Sequence, residues 1–423
     1  MTETKWSWDA ALVSGYERVT RSALGTYQTA VVRIGVAGTS LGFLLREWPH
    51  RHELYGPEGP LSSDLAAQRV EDNGAFTVLL WSDAAWWFEL CYVFAILASL
   101  ALLLGWRTRT ASVLFLIGVL SVQNRNGFIS DGGDNVLHLM AIYLVFVRCG
   151  ERFSLDALFR RSGAGRRRSG RRRDVTGVVL WSALAFALLT AWVFGVLGGG
   201  WLLIFAGLLA VHAVWWIVDR FTGGEPRAVC DMTTNLVHNG AVLVIIVQVC
   251  LLYATAGWFK VQGSRWQDGT AAYYPLQVDV FTPWPALSGA VSAYGLPILL
   301  MTYGTVIVQV AFPFTLFNRR IKNVVLACLI AEHIGIAILL GLPFFSLAII
   351  SADLIFLPTS LLRRVEAKLG GRFRRRGATS EAAADGEADQ AGAADDDGAA
   401  DEAGAADEAG ADAAAHEPAR VSP

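Results

Sequence analysis

The stretch "NGAVLVIIVQVCLLYATAGWFK", residues 239–260, decides the fold class. Between Gly240 and Phe259 it has no Asp, Glu, Lys or Arg. A helix of about 20 apolar residues spans the hydrocarbon core of a bilayer, and an apolar core strand or helix rarely runs so long. Comparable runs recur along the chain. They predict about ten spans, near 27–46, 87–105, 111–127, 134–149, 176–197, 199–218, 239–258, 292–316, 323–341 and 343–362. In the pair 176–218, the glycines at 198–200 mark either a bend between two spans or a break in one long element.

Composition agrees with this reading. The 423 residues are 54% hydrophobic and 17% charged, with 15 Trp and a mean hydropathy of +0.42. Globular chains carry about 25% charged residues. Many of the tryptophans fall near the ends of apolar runs, as an interfacial belt requires. The expected fold is all-α, a polytopic integral membrane helical bundle. The lipid bilayer is its first partner, and no nucleic acid is expected. The five cysteines form no CxxC pair, so neither a disulfide framework nor a zinc site is read from them. Cys230 is expected in a short polar loop. The first 25 residues are mixed and polar, with no cleavable signal peptide evident.

Orientation follows from the Lys/Arg bias of the loops. "GWRTRT", "FRRSGAGRRRSGRRR", "FNRRIK" and "RRVEAKLGGRFRRR" all fall on one face if both termini are cytoplasmic. The opposite face receives the acidic segment 47–86, then 125–133 and 259–291. Three regions result: a cytoplasmic segment 1–25, a transmembrane domain 26–365, and a basic-then-acidic tail 366–423. The tail's Ala/Asp/Glu/Gly repetition, without aromatics, predicts disorder.

Candidate chemistry concentrates on the outward face. Lys260 closes the opening stretch, and only four of the 35 basic residues are lysines. One reading is a snorkelling anchor beside Trp258. The other is a general base, because a buried lysine can become a neutral amine while arginine stays charged. On a helix, Tyr253, Ala256 and Lys260 share a face. Arg265 and Trp266 follow, and "VDVFTPWP" reads as interfacial rather than spanning. A second segment, "NRNGFISDGGDNVLHL", crowds Asp131, Asp134, Asn135 and His138 at the membrane edge. Asp134 is expected to cap the following helix. His138 is either a buried hydrogen-bonded histidine or, with Asp134, half of a weak metal pair. Arg33, Glu89, Glu332, His333 and Asp353 lie at membrane depth, where ionisable groups need a partner or a cavity. Arg33 is expected to pair with Asp353 or Glu332. Gln309 makes its span polar in places, and Pro297 and Pro313 predict a kink there.

In this order, "RIGVAGTSLGFL", "GWRTRTASVLFL", "NRNGFISDGGDNVLHLMAIYLVF…GERFSLDALF", "YATAGWFKVQGSRWQDGTAAYY" and "AEHIGIAILLGLPFF…DLIFLP" cover roughly residues 25–360. Together they resemble the horizontally transferred transmembrane (HTTM) domain family, prokaryotic relatives of the vitamin K-dependent gamma-glutamyl carboxylase. The resemblance implies a lysine base that deprotonates a reduced quinone on the extracytoplasmic side, a role that falls on Lys260. It also implies that the DGGDN segment and the helix histidine line the same cavity, which makes Asn135 and His333 candidates. Two departures stand out. Val136 follows Asn135 where the carboxylase has a histidine, and the chain lacks the carboxylase's large extracytoplasmic domain. A branch of the family resembles a membrane factor for a secreted sporulation-delaying peptide. A non-catalytic role in maturation of, or immunity to, a small secreted peptide is therefore the alternative. A transporter ranks last, for want of an inverted repeat.

Overall fold

The computed structural model describes residues 8–161 and 175–368. The basic loop at 162–174 and the tail from 369, including its acidic run, lie outside the described residues. Among the described residues every regular element is a helix and no strand occurs. The chain divides into two compact units, 1–362 and 363–423. The first holds the bundle; of the second, residues 363–368 are described and are helical.

The helices are α1 Trp8–Arg21, α2 Thr26–Arg46, α3 Arg51–Tyr55, α4 Ser63–Asp72, α5 Ala85–Leu104, α6 Thr108–Arg125, α7 Gly132–Phe146 and α8 Leu155–Arg161. There follow α9 Val175–Val193, α10 Gly199–Phe221, α11 Glu225–Gln262, α12 Ser264–Gln267, α13 Pro285–Ser292, α14 Gly295–Thr315, α15 Arg319–Leu339 and α16 Pro343–Asp353. Among the described residues seven are long and apolar enough to cross a membrane, namely α2, α5, α9, α10, α11, α14 and α15. An eighth is added if the bent pair Pro343–Phe356 with Thr359–Lys368 is one span. Of the other expected spans, α7 has 15 residues and is apolar but short. The run at 111–127 forms the helix α6, which carries Arg109 and Arg125 and falls outside the seven.

Helix ends follow from local chemistry. α5 stops at Gly105, whose φ of 69° is the left-handed conformation that glycine tolerates at a C-cap. The next helix starts three residues on, with no side-chain cap of its own. Asp156 caps it from the far side of α7. Its carboxylate accepts from the Arg107 and Thr108 backbone N–H groups and from the Thr108 hydroxyl, each at 2.9 Å. α7 begins with a reciprocal capping box: Asp131 accepts from the Gly133 and Asp134 N–H groups, and Asp134 Oδ2 accepts from the Asp131 N–H at 2.9 Å. The cap is therefore Asp131, and Asp134 is its partner within the first turn. The expectation that Asp134 caps the helix is off by three positions, because the glycines at 132 and 133 are already helical.

The glycine break at 194–198 separates α9 from α10, so this region holds two helices. Both are mostly exposed, which suits a lipid-facing position in a bilayer. α11 has 38 residues, roughly 57 Å at 1.5 Å per residue, nearly twice the hydrocarbon thickness. Its extra length lies at the N-terminal end, so Cys230 sits in a helix and not in a loop. There Asn235, His238 and Asn239 hold the end of α1 and the turn after it, accepting from or donating to the backbone of Val19, Thr20, Ser22 and Leu24.

α2 packs between α5 and α16, and α6 packs on α5 and α7. α11, α14, α15 and α16 pack each on the next, and α16 returns to α7. Arg33 is fully buried within the first group, where its Nη2 donates to the Phe153 carbonyl at 2.6 Å. A side chain at position 105 would fill its space, since a Cβ there would lie 1.8 Å from Arg33 Nη1. The expected pairing of Arg33 with Asp353 or Glu332 is absent. Its stem runs toward the loop beyond α5, and Asp353 is held instead by Tyr253.

Candidate functional site

On α11, Tyr253 and Gly257 are buried and Lys260 is half-buried, while Trp258 and Phe259 are 62% and 72% exposed. The inward stripe is the one the helical period predicts. Gly257 makes it useful. A Cβ at Gly257 would lie 2.7 Å from Val310 Cγ2 and 3.2 Å from the Val310 backbone nitrogen, so glycine lets α11 and α14 approach closely.

One turn on, Lys260 Nζ donates to Gln309 Oε1 of α14 at 2.9 Å. The Gln309 Nε2 donates in turn to Glu332 Oε1 of α15 at 2.6 Å. His333 follows Glu332, is 4% exposed, and sits with its ring centroid 6.5 Å from Tyr253 and 5.8 Å from Phe345. Tyr253 donates its hydroxyl proton to Asp353 Oδ2 of α16 at 2.8 Å, with both residues at 1% exposure or less. Thus Lys260, Tyr253, Gln309, Glu332, His333 and Asp353 gather from four adjacent helices. Aromatic packing closes the lower side, where Phe312 lies 5.3 Å from Tyr253 and 4.9 Å from Phe356. On the outer side the Lys260 ammonium position lies 5.2 Å from the Trp266 ring centroid, within cation–π range.

Three atoms of this cluster are buried without a hydrogen-bond partner: Glu332 Oε2, His333 Nδ1 and Asp353 Oδ1. The Thr305 hydroxyl lies within interaction range of the Glu332 carboxyl. Unpaired buried polar atoms are costly anywhere and more so at membrane depth, where no water replaces the lost bond. A cluster of six polar side chains with three open valences at membrane depth is the candidate site for chemistry or for a polar ligand.

The other sequence candidates lie elsewhere. Arg265 is exposed, pairs with Asp268 at 3.5 Å, and sits 4.9 Å over the Tyr274 ring. Hydrogen bonds from the Thr270 hydroxyl and N–H hold the Asp268 carboxyl below its ordinary range. Asp131 and Asp134 are engaged in the capping box. Asn135 is exposed and donates to the Asp131 carbonyl at 3.4 Å, and His138 is half-buried. Among the described residues, no hydrogen bond, ion pair or ring contact joins these four to Lys260. Asp134 instead lines a separate crevice with Tyr55, Ser99, Gly118 and Asn126. Phe345 stands between the two regions: its ring faces His333, and its backbone packs on Gly133, where a Cβ would lie 2.6 Å from Phe345 Cα. Among the described residues no group of three or more His, Cys, Asp or Glu is placed to hold a metal ion.

The sequence marks Gln309, Glu332 and Asp353 as polar groups at membrane depth, but only packing joins them to Lys260 and Tyr253. Their sole signal in the sequence is the cost of placing such residues in apolar runs. No protein-family model, curated protein or solved structure matches this chain.

Proposed function

We propose that this chain is an HTTM-type, carboxylase-like enzyme of the cell membrane, with Lys260 as a general base in an outward-facing site acting on a quinol or another lipid-soluble acid. The observation that carries the reading is the hydrogen bond of Lys260 to a neutral amide, Gln309, in place of a direct ion pair with a carboxylate. A lysine locked to a carboxylate stays an ammonium and cannot accept a proton. One held by an amide in an apolar bundle can become a neutral amine, which arginine cannot.

The residues fit a reduced quinone. An amine base and two buried polar atoms without partners, His333 Nδ1 and Glu332 Oε2, stand among the Tyr253, Phe312 and Phe345 rings. When bound, such a group would supply ionisable hydroxyls on an apolar ring. Lys260 takes a proton at Nζ, Gln309 sets the direction of its N–H bonds, and Trp266 covers the amine from the outer side. Tyr253 and Asp353 hold the α11 and α16 walls together. His333 offers a ring nitrogen that can accept or donate according to its tautomer. Glutamate carboxylation as the outcome rests on the resemblance alone.

In the same proposal the chain crosses the membrane ten times with both termini cytoplasmic, the shorter α6, α7 and α16 included. The Lys/Arg-rich loops support that orientation, and it puts Lys260 at the extracytoplasmic end of α11. A second reading draws on the outer segment after α12, where Tyr273, Tyr274, Trp284 and Tyr294 are each exposed. That surface suits a non-catalytic factor for maturation of, or immunity to, a secreted peptide.

The test is Lys260→Arg and Lys260→Ala, both verified for normal membrane insertion and scored on the phenotype of the gene deletion. Loss in both is expected. Full activity in both removes the base role and favours the second reading, and survival of Lys260→Arg alone marks a positively charged anchor. Mass spectrometry of the purified protein should find a co-purifying quinone-like lipid.

A further inference from the structure

We propose that Glu332 is the proton store of Lys260, and that the Gln309 side-chain amide between them reverses with each transfer. The inference rests on Lys260 acting as the base. Its ground is the unbroken series Lys260 Nζ to Gln309 Oε1 at 2.9 Å and Gln309 Nε2 to Glu332 Oε1 at 2.6 Å.

An ammonium only donates hydrogen bonds, and an ionised carboxylate only accepts them. With its carbonyl toward Lys260 and its NH2 toward Glu332, Gln309 satisfies the state in which Lys260 is charged and Glu332 is ionised. Rotating the amide by half a turn serves the other state equally well. The NH2 then donates to the lone pair of a neutral Lys260 amine, and the carbonyl accepts from a Glu332 carboxylic acid. Between the two states one N–H bond breaks at Lys260 and one O–H bond forms at Glu332. No electrons are exchanged, and the summed charge of the pair stays zero. Both states keep the two hydrogen bonds made through the amide.

The spacing matters as much as the bonds. A direct ion pair at hydrogen-bond distance would hold the ammonium firmly. An amide and two hydrogen bonds set the charges about 6 Å apart, which roughly halves their attraction. Separated charges in an apolar bundle are costly, so the neutral pair becomes competitive with the ionic one. The open Oε2 of Glu332, buried and without a partner, leaves that carboxyl free to take up a proton. The other titratable groups facing the cluster are Tyr253 on α11, His333 on α15 and Asp353 on α16. Asp353 is engaged by Tyr253. α14 contributes only Gln309 and Thr305, which do not titrate, and α12 contributes the Trp266 ring.

The test needs no substrate. The purified full chain in detergent micelles is pulsed with acetic anhydride, which acylates only neutral amines, and mass spectrometry reads Lys260 and Lys322 separately. Lys322 donates to the Phe356 carbonyl outside this cluster and serves as the internal control for folding. Removing one unit charge about 6 Å away at an effective dielectric near 20 changes the neutral fraction by up to about a hundredfold. Glu332→Gln should therefore raise the Lys260 acylation rate at pH 7 by at least tenfold. Gln309→Glu, which puts a carboxylate against the amine, should lower it by at least tenfold. A Glu332→Gln protein with unchanged Lys322 labelling and a Lys260 rate equal to wild type overturns the proposal. Should Glu332→Gln disturb Lys322 as well, Gln309→Glu decides: an equal or higher Lys260 rate is equally fatal. Retained activity in Lys260→Ala would remove the base role yet leave these rates as measured, so the two failures are distinguishable.

Discussion

Replacing Gly257 with alanine should uncouple Lys260 from Gln309 without touching either residue. The added Cβ would meet Val310 Cγ2 at 2.7 Å and the Val310 nitrogen at 3.2 Å. Carbon atoms prefer about 3.5–4.0 Å, so the crossing must open by roughly 0.8–1.3 Å at the first contact. Valine in a helix has one strongly preferred rotamer, and the backbone nitrogen cannot rotate away, so most of the strain falls on the helix separation. Overpacking of this kind costs about 1–3 kcal/mol. Lys260 lies one turn beyond Gly257, and its 2.9 Å bond to Gln309 would be carried past hydrogen-bond reach by the same opening. Two measurements on the purified protein in detergent check this: thermal unfolding, which should move down, and the Lys260 acylation rate, which should change while that of Lys322 does not. Val310→Ala in the same chain removes the worst contact and should recover part of both effects. Wild-type stability together with a wild-type Lys260 rate in Gly257→Ala would refute the close helix crossing and the positioning derived from it.

Tyr253→Phe and Asp353→Asn, alone and combined, should show a coupling of about 1.5 kcal/mol in unfolding by denaturing detergent. Bonds within membrane proteins average about 0.6 kcal/mol with a maximum near 1.7, and a fully buried carboxylate acceptor belongs at the upper end. Strictly additive effects would deny the pair any energetic role. On topology, Ser264→Cys should react with a membrane-impermeant maleimide on intact cells, whereas Cys230 at the opposite end of α11 should react only after permeabilisation. Labelling of Cys230 from outside would reverse the proposed orientation.

Much of the architecture was legible in the sequence because apolar runs of membrane length leave the backbone little choice but helix. The inward face of α11 was legible too, since Tyr253, Ala256 and Lys260 follow the helical period. What escaped was of a different kind. The cap of α7 was misplaced by three residues because the Asp131–Asp134 box already holds Gly132 and Gly133 in the helix. The N-terminal extension of α11 was missed because residues 225–238 are too polar for a span, and their helix is held by Asn235, His238 and Asn239 bonding to α1 and its turn.

The sequence by itself determined that this is a helical protein with several runs of membrane length, and that a lysine closes one of the most apolar of them. Tertiary structure alone decided the partners. Arg33 was the expected mate of Asp353, whereas Tyr253 holds it, and nothing in the spacing of residues 260, 309 and 332 announces a bonded series. A period tells which side of one helix faces inward. It does not tell at what height two helices cross, and that height follows from close contacts such as Gly257 against Val310. Those contacts turn separate polar residues at membrane depth into one site.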